Sequence, residues 1–192
     1  MEVIELKYKP LSVDENFYEF CSENDELKIE RGSDGTIYVG LGSGGTTGML
    51  NATISYWLMH WDLSSNLGHV FDSSTTFCLP NSSIRSPSAS WLSSDNWNAL
   101  NEAEKAKFPP ICPDFVIELL SPHDELKTIQ KKVQEEWIGN GCHLAWLIDP
   151  DTETAYVYRS NGEVDTIKGF DQQLSGENVL PGFEFDLSEL KI

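Results

Sequence analysis

The stretch Phe115-Val116-Ile117-Glu118-Leu119-Leu120 constrains this chain more than any other. Apolar side chains at consecutive positions fill both faces of a pleated strand, which suits only the middle of a sheet covered on both sides. The exception inside the run is Glu118. A carboxylate at the end of a central strand is costly to bury unless it binds a metal, accepts hydrogen bonds or stays partly wet. The alternative is a strand that turns outward there and leaves Glu118 solvated.

The rest of the chain supplies the layers such a strand needs. Ser12-x-x-Glu15 is a capping-box start, and Val13, Phe17, Phe20 and Cys21 follow at helical spacing, which predicts a helix over 13–23. Leu27–Glu30 and Thr36–Gly40 are extended segments joined by Arg31-Gly32-Ser33-Asp34-Gly35, a hairpin. Leu50, Ile54, Trp57, Leu58 and Trp61 line one face of a helix over 49–62, and the glycine-rich loop 40–48 before it reads as a turn or a lid. That loop has no lysine, so it is no phosphate-binding P-loop. Strands follow at Thr75–Leu79, Ile84–Leu92 and Phe115–Leu120, with the polar excursion Ser93–Lys107 carrying one short helix at most. Asp124–Ile138 has helical spacing at Leu126, Ile129, Val133 and Trp137, stopped by Gly139-Asn140-Gly141, and His143–Ile148 and Thr154–Arg159 are strands. The order predicts one α/β domain over 1–192, a mixed sheet flanked by helices.

Composition narrows the function classes. With 40% hydrophobic and 23% charged residues in 192, the balance is that of a single well-buried core. No run of about 18 apolar residues occurs and Met1–Lys7 lacks a signal peptide's order, so the expectation is a cytoplasmic protein with no membrane contact. Cys21, Cys78, Cys112 and Cys142 include no C-x-x-C pair and read as small buried hydrophobes rather than disulfides; combining Cys112 and Cys142 with His123 and His143 matches no zinc pattern. The formal net charge of −18 disfavours nucleic acid as a partner, because phosphate-binding surfaces cluster Lys and Arg and the sole tight group here is Lys127, Lys131 and Lys132. Six tryptophans and strand edges suit a homodimer.

Two residues carry the chemistry. Lys132 stands beside the stripe of Ile129 and Val133, so its stem can lie over the core while the ammonium reaches the sheet edge. Should that edge carry Glu118, the carboxylate would hold Mg²⁺ and the lysine would stabilise charge on phosphate or orient water; the competing reading is a solvated helix lysine. Asp114 reads as a turn or cap at the strand entry, Ser121 or Asp124 as the next helix's N-cap, and His123 as a general-base candidate whose plainer reading is an exposed loop residue.

At this point the chain resembles the Uma2 family of endonuclease-like proteins, formerly a domain of unknown function common in cyanobacteria. The residues that carry the resemblance are Phe71-Asp72-Ser73-Ser74-Thr75, Leu79-Pro80-Asn81, Arg85-Ser86-Pro87, Cys112 to Pro122, Trp146-Leu147-Ile148-Asp149-Pro150, Leu174-Ser175-Gly176-Glu177 and Leu180-Pro181-Gly182-Phe183. It implies a restriction-endonuclease-like fold of the PD-(D/E)xK superfamily, in which an Asp, a Glu and a Lys assemble a Mg²⁺ site for phosphodiester hydrolysis. Glu118 matches the second-strand acid. Leu120 stands where the lysine ordinarily follows; the family's lysine sits on the next helix, and counting forward from Ser121-Pro122 lands on Lys132, whereas counting back from Asn140-Gly141 leaves one residue too many. Family members resemble Arg-Ser-Pro-Asp-Ala-Ser-Trp where this chain has Ser88, a neutral and weak metal ligand. The resemblance offers Glu30, on the first hairpin, as a compensating metal ligand. Two functions follow as expectations: a Mg²⁺-dependent nuclease using Glu118 and Lys132, with Ser88 or Glu30 completing a weakened site, or an inactive relative kept for binding or oligomer formation. An acyl-transfer hydrolase is excluded for want of a Gly-x-Ser-x-Gly elbow.

Overall fold

The computed structural model describes residues 3–7 by their backbone, and residues 14–25, 27–40 and 42–192. The strands and helices run β1 (Val3–Lys7), α1 (Asp14–Glu23), β2 (Lys28–Arg31), β3 (Thr36–Gly40), α2 (Gly45–Ser65), β4 (Gly68–Phe71), β5 (Phe77–Cys78), β6 (Ile84–Arg85), β7 (Ala89–Ser93), α3 (Ser94–Ala99), α4 (Glu102–Lys105), β8 (Phe115–Leu119) and α5 (Leu126–Lys131). After α5 come a π-helical turn (Lys132–Trp137) and a 3₁₀ turn (Ile138–Asn140), then β9 (Leu144–Asp149), β10 (Thr154–Arg159), β11 (Val164–Lys168), β12 (Gln173–Ser175), β13 (Glu184–Asp186) and a last 3₁₀ turn (Leu187–Leu190). Ser12, which opens the expected capping box with Glu15, and Val13 lie outside the described residues; α1 itself is present.

β8 is the central strand its composition demands. The main sheet has the order β11-β10-β9-β8-β7-β4, with β8 and β9 parallel and every other neighbour antiparallel. The helical segment that begins at α5 is the crossover a parallel pair requires. Side chains alternate across the sheet: Phe115, Ile117 and Leu119 meet α2 through Leu50, Ile54, Leu58 and Trp61, while Val116 packs with Val133 and Trp137 on the opposite face. Glu118, two residues beyond Val116, therefore faces the α5 side. The C-terminal β12–β13 pair closes over the α2 face, with Phe183 stacked on Trp146 at 5.7 Å between centroids.

The second sheet, β1-β3-β2-β6-β5, packs α1 through Phe17, Ile29, Ile37 and Ile84. Its β6 and the main sheet's β7 come from what the alternation predicts as one strand over Ile84–Leu92. The strand divides at Ser86-Pro87-Ser88 because Pro87 has no N–H for a ladder, and the chain changes sheets there. The excursion at 93–107 holds two short helices rather than one at most: Asn101 makes a full capping box with Glu104 for α4, and Asp114 accepts Ser93 N–H at 2.8 Å ahead of α3. Asp114 thus ties down a neighbouring segment, accepting also from the Asn96 side chain, rather than turning or capping its own backbone. Ser121 and Asp124 bond to one another, and Glu125, without a side-chain cap, precedes α5. Gly68 tolerates no side chain, since a Cβ would lie 2.3 Å from Leu92 O and 2.4 Å from the Trp91 ring.

Candidate active site

The polar residues of both sheets meet along the line where the chain crosses from β6 to β7. Glu30 on β2 and Arg85 on β6 come from the second sheet, Ser88 from the bend just before β7, Glu118 from the main sheet, and Lys132, Glu136 and Trp137 from the π-helical turn. Glu30, Arg85, Ser88, Glu118, Lys132 and Glu136 all line one cleft of about 560 Å³. Ser43, Thr47 and Asn51, from the glycine-rich loop and the start of α2, stand along its side, so that segment borders the site.

Lys132 is the hub. Its Nζ lies 2.9 Å from Glu118 Oε1 and 3.0 Å from Glu30 Oε1, and donates at 3.4 Å to the Ser86 carbonyl. Glu118 is buried, 6% exposed, which sets aside the solvated reading. Its Oε1 also accepts the indole N–H of Trp137 at 2.7 Å, while no bond engages Oε2 among the described residues. Five residues advance an α-helix by roughly 500°, leaving the two ends about 140° apart around its axis. Lys132 and Trp137 are five apart and nevertheless reach one oxygen, because the turn that joins them is π-helical, with i→i+5 hydrogen bonding. A π turn holds one residue more than the α-helical turn it replaces, the same number as the surplus found on counting back from Asn140-Gly141. Gly141, at φ 106°, then ends the helical segment.

Glu30 has both carboxylate oxygens engaged by protein groups. Ser86 N–H and Lys132 take its Oε1 at 2.8 and 3.0 Å, and Arg85 takes Oε2 at 3.2 Å. Burial would raise its pKa, but the charges of Lys132, Arg85 and Lys28 outweigh burial and hold it down at about 2. Lys132 is the mirror image: burial opposes its charge, and Glu118 and Glu30 together raise its pKa above the ordinary lysine value. Arg85 is further held by Glu136 at 3.1 Å and lies over the Tyr38 ring at 4.7 Å. Ser88 Oγ accepts the N–H of Leu119 at 2.9 Å, which ties β7 to the end of β8.

Arg85, Glu136 and Trp137 carry no local signal of a site role in the sequence. Arg85 lies 55 residues from Glu30 and 51 from Glu136, a pairing no local pattern encodes. The one signal available in the sequence is the surplus residue between Lys132 and Gly141. His123 is exposed and stands apart from these contacts, and Cys112 and Cys142 are buried thiols whose pKa values burial pushes up, Cys112 to about 12.

The family profile for Uma2, described as "Putative restriction endonuclease", matches residues 14–188. The chain belongs to the Uma2 family. A solved structure described as a "putative nuclease belonging to DUF820", from Anabaena variabilis, superposes on this Uma2 chain with a TM-score of 0.71 and 19% identity, over 84% of this chain and 88% of that one. At that identity the likeness concerns the fold, which is restriction-endonuclease-like. A comparison with curated proteins finds no match. No helix among the described residues is long and apolar enough to cross a membrane.

Restriction-endonuclease-like proteins generally use a divalent metal. Among the described residues of this Uma2 chain no group of three His, Cys, Asp or Glu is arranged to hold one. Hard oxygen donors for Mg²⁺ are nonetheless present in reduced number along the cleft: the open Oε2 of Glu118 and the hydroxyl of Ser88, which accepts the Leu119 N–H. Mg²⁺ keeps several waters and takes one or two carboxylates plus substrate phosphates, so this set fits a weakly held ion. Glu30 lines the same cleft with both oxygens paired to Lys132 and Arg85.

Proposed function

We propose that this Uma2 protein is a metal-dependent nuclease that hydrolyses phosphodiester bonds of nucleic acid in the cleft, with a site weakened by Ser88. The observation that carries the reading is the convergence of Lys132, Glu118 and Ser88 at the crossover between the sheets. Glu118 and Ser88 would hold the ion, which supplies charge neutralisation at the phosphate and an acidified water. The Lys132 ammonium, kept protonated by Glu118 and Glu30, is placed to take up negative charge developing on a phosphate oxygen. Trp137 holds Glu118 by its shared oxygen, so the free oxygen keeps a set direction. Arg85 anchors Glu30 and thereby Lys132. Four free thiols suit a reducing, cytoplasmic setting.

The competing reading, an inactive relative serving as a binding module, draws on two observations. Ser88 removes one anionic ligand, and six carboxylates against four cations line the cleft. Cleavage of single- and double-stranded DNA and of RNA in Mn²⁺ or Mg²⁺, run with wild type, Glu118→Ala and Ser88→Asp, separates the two. The nuclease reading expects weak wild-type cleavage that Glu118→Ala abolishes and Ser88→Asp raises by at least about tenfold. Cleavage by none of the three, together with no heat of binding at millimolar metal, supports the binding module instead.

A further inference from the structure

α2 is apolar on two sides, and only one of them is used. Its inward side chains Leu50, Ile54, Leu58 and Trp61 are buried against the main sheet. On the outside, Met49, Tyr56, Met59 and Leu63 are 53%, 59%, 40% and 76% exposed, and Ala52 is exposed between them. Met49, Ala52, Tyr56, Met59 and Leu63 follow one another at spacings of three, four, three and four residues, the repeat of a seam that packs against another helix.

We propose that this outer face of α2 is the docking surface for a second copy of the chain, helix against antiparallel helix across a two-fold axis at Tyr56. Charge selects the partner. The chain carries −18 overall, yet the charged residue within α2 is Asp62 alone, which is buried and bonded to Trp91 and Gly68. Two copies meeting at this face bring no carboxylate to carboxylate, whereas contacts across acidic surface repel. The stripe is also self-complementary about its midpoint. Antiparallel pairing sets Met49 opposite Leu63 and the small Ala52 opposite the Met59–His60 side, and it opposes the helix dipoles favourably. A lipid surface fits poorly, because interfacial helices carry Lys and Arg on the polar face and α2 has neither. From Met49 to Leu63 the stripe is about 21 Å long. At about 10 Å wide, one helix diameter, it covers roughly 210 Å², below the roughly 800 Å² per partner of a standard interface, so the association is weak and concentration-dependent.

Sedimentation velocity on the full chain from about 10 to about 500 µM tests this. The expected result is a concentration-dependent shift from the chain mass to twice that mass. Raising NaCl from about 50 to about 500 mM should tighten it several-fold, since screening relieves repulsion between two acidic bodies without touching an uncharged interface. Tyr56→Glu and Leu63→Glu, at exposed positions, should each weaken the dimer by at least about tenfold with unchanged melting temperature. Tyr56→Cys should give a covalent dimer under mild oxidation. A wild type that stays monomeric at the highest concentration overturns the proposal, as does a dimer indifferent to both glutamates. Flotation of a monomer with neutral phosphatidylcholine vesicles would assign the face to lipid and likewise overturn it.

Discussion

At the scale of single residues, the site is a balance of buried charges in which Glu30 is the counterweight. Its carboxyl titrates near 4.5 unfolded and at about 2 folded. The stabilisation from this ion pair is therefore complete above pH 4.5 and is lost as pH falls from there through 2. The shift corresponds to roughly 3 kcal/mol at most. Glu30→Gln should lower stability at pH 7 by up to about 3–5 kcal/mol, because Lys132 and Arg85 lose a charge partner in a buried setting. Its stability should also vary less between pH 4.5 and 2 than the wild type's, and urea unfolding at a series of pH values measures both. Glu118 and Lys132 are legible in the amino-acid sequence because a carboxylate in an apolar run and a lysine beside an apolar stripe each break a local pattern. The pairing of Glu30 with Lys132 and Arg85 is not legible there, since Lys132 is 102 residues away and Arg85 is 55. Its burial between cations follows from sheet packing alone.

At the scale of elements, the π-helical turn decides what the site contains. α5 and the segment after it follow the helical spacing of Leu126, Ile129, Val133 and Trp137, so a helix is foreseeable. The local change of hydrogen bonding that brings Lys132 and Trp137 to one Glu118 oxygen is not. Deleting Gln134, an exposed residue of that turn, should restore an ordinary α-helical register and swing Lys132 away from Glu118 while Trp137 stays packed. The expected outcome is a folded protein by circular dichroism whose cleavage rate falls about 10²–10³-fold, as for Lys132→Ala. Retention of full activity by the deletion variant would show that the π turn is incidental. The division of Ile84–Leu92 into β6 and β7 is the other decision at this scale. Pro87 is visible as a strand breaker, but nothing local says that the two halves join different sheets.

At the scale of the whole molecule, charge governs encounter with any polyanion. A body at −18 with a cleft of four cations and six carboxylates offers few phosphate contacts, so nucleic-acid affinity should depend on divalent metal and respond weakly to monovalent salt. Fluorescence anisotropy should show binding in Mg²⁺ or Mn²⁺ that EDTA abolishes, with a slope of log K against log salt of about −3 or shallower; tight binding in EDTA would contradict this. The amino-acid sequence by itself determined the mixed α/β class and the central place of β8, and marked Glu118 and Lys132 as candidates. Each is a statement about local periodicity or about a polar residue in an apolar run, and such patterns act over a few neighbours. Only the tertiary structure decided that Glu30 and Arg85 brace Lys132, that Trp137 holds Glu118, and that α2 leaves an uncharged apolar face outside. Those depend on how two sheets and a helix pack, where residues far apart in the chain share one low-dielectric volume and settle each other's charge.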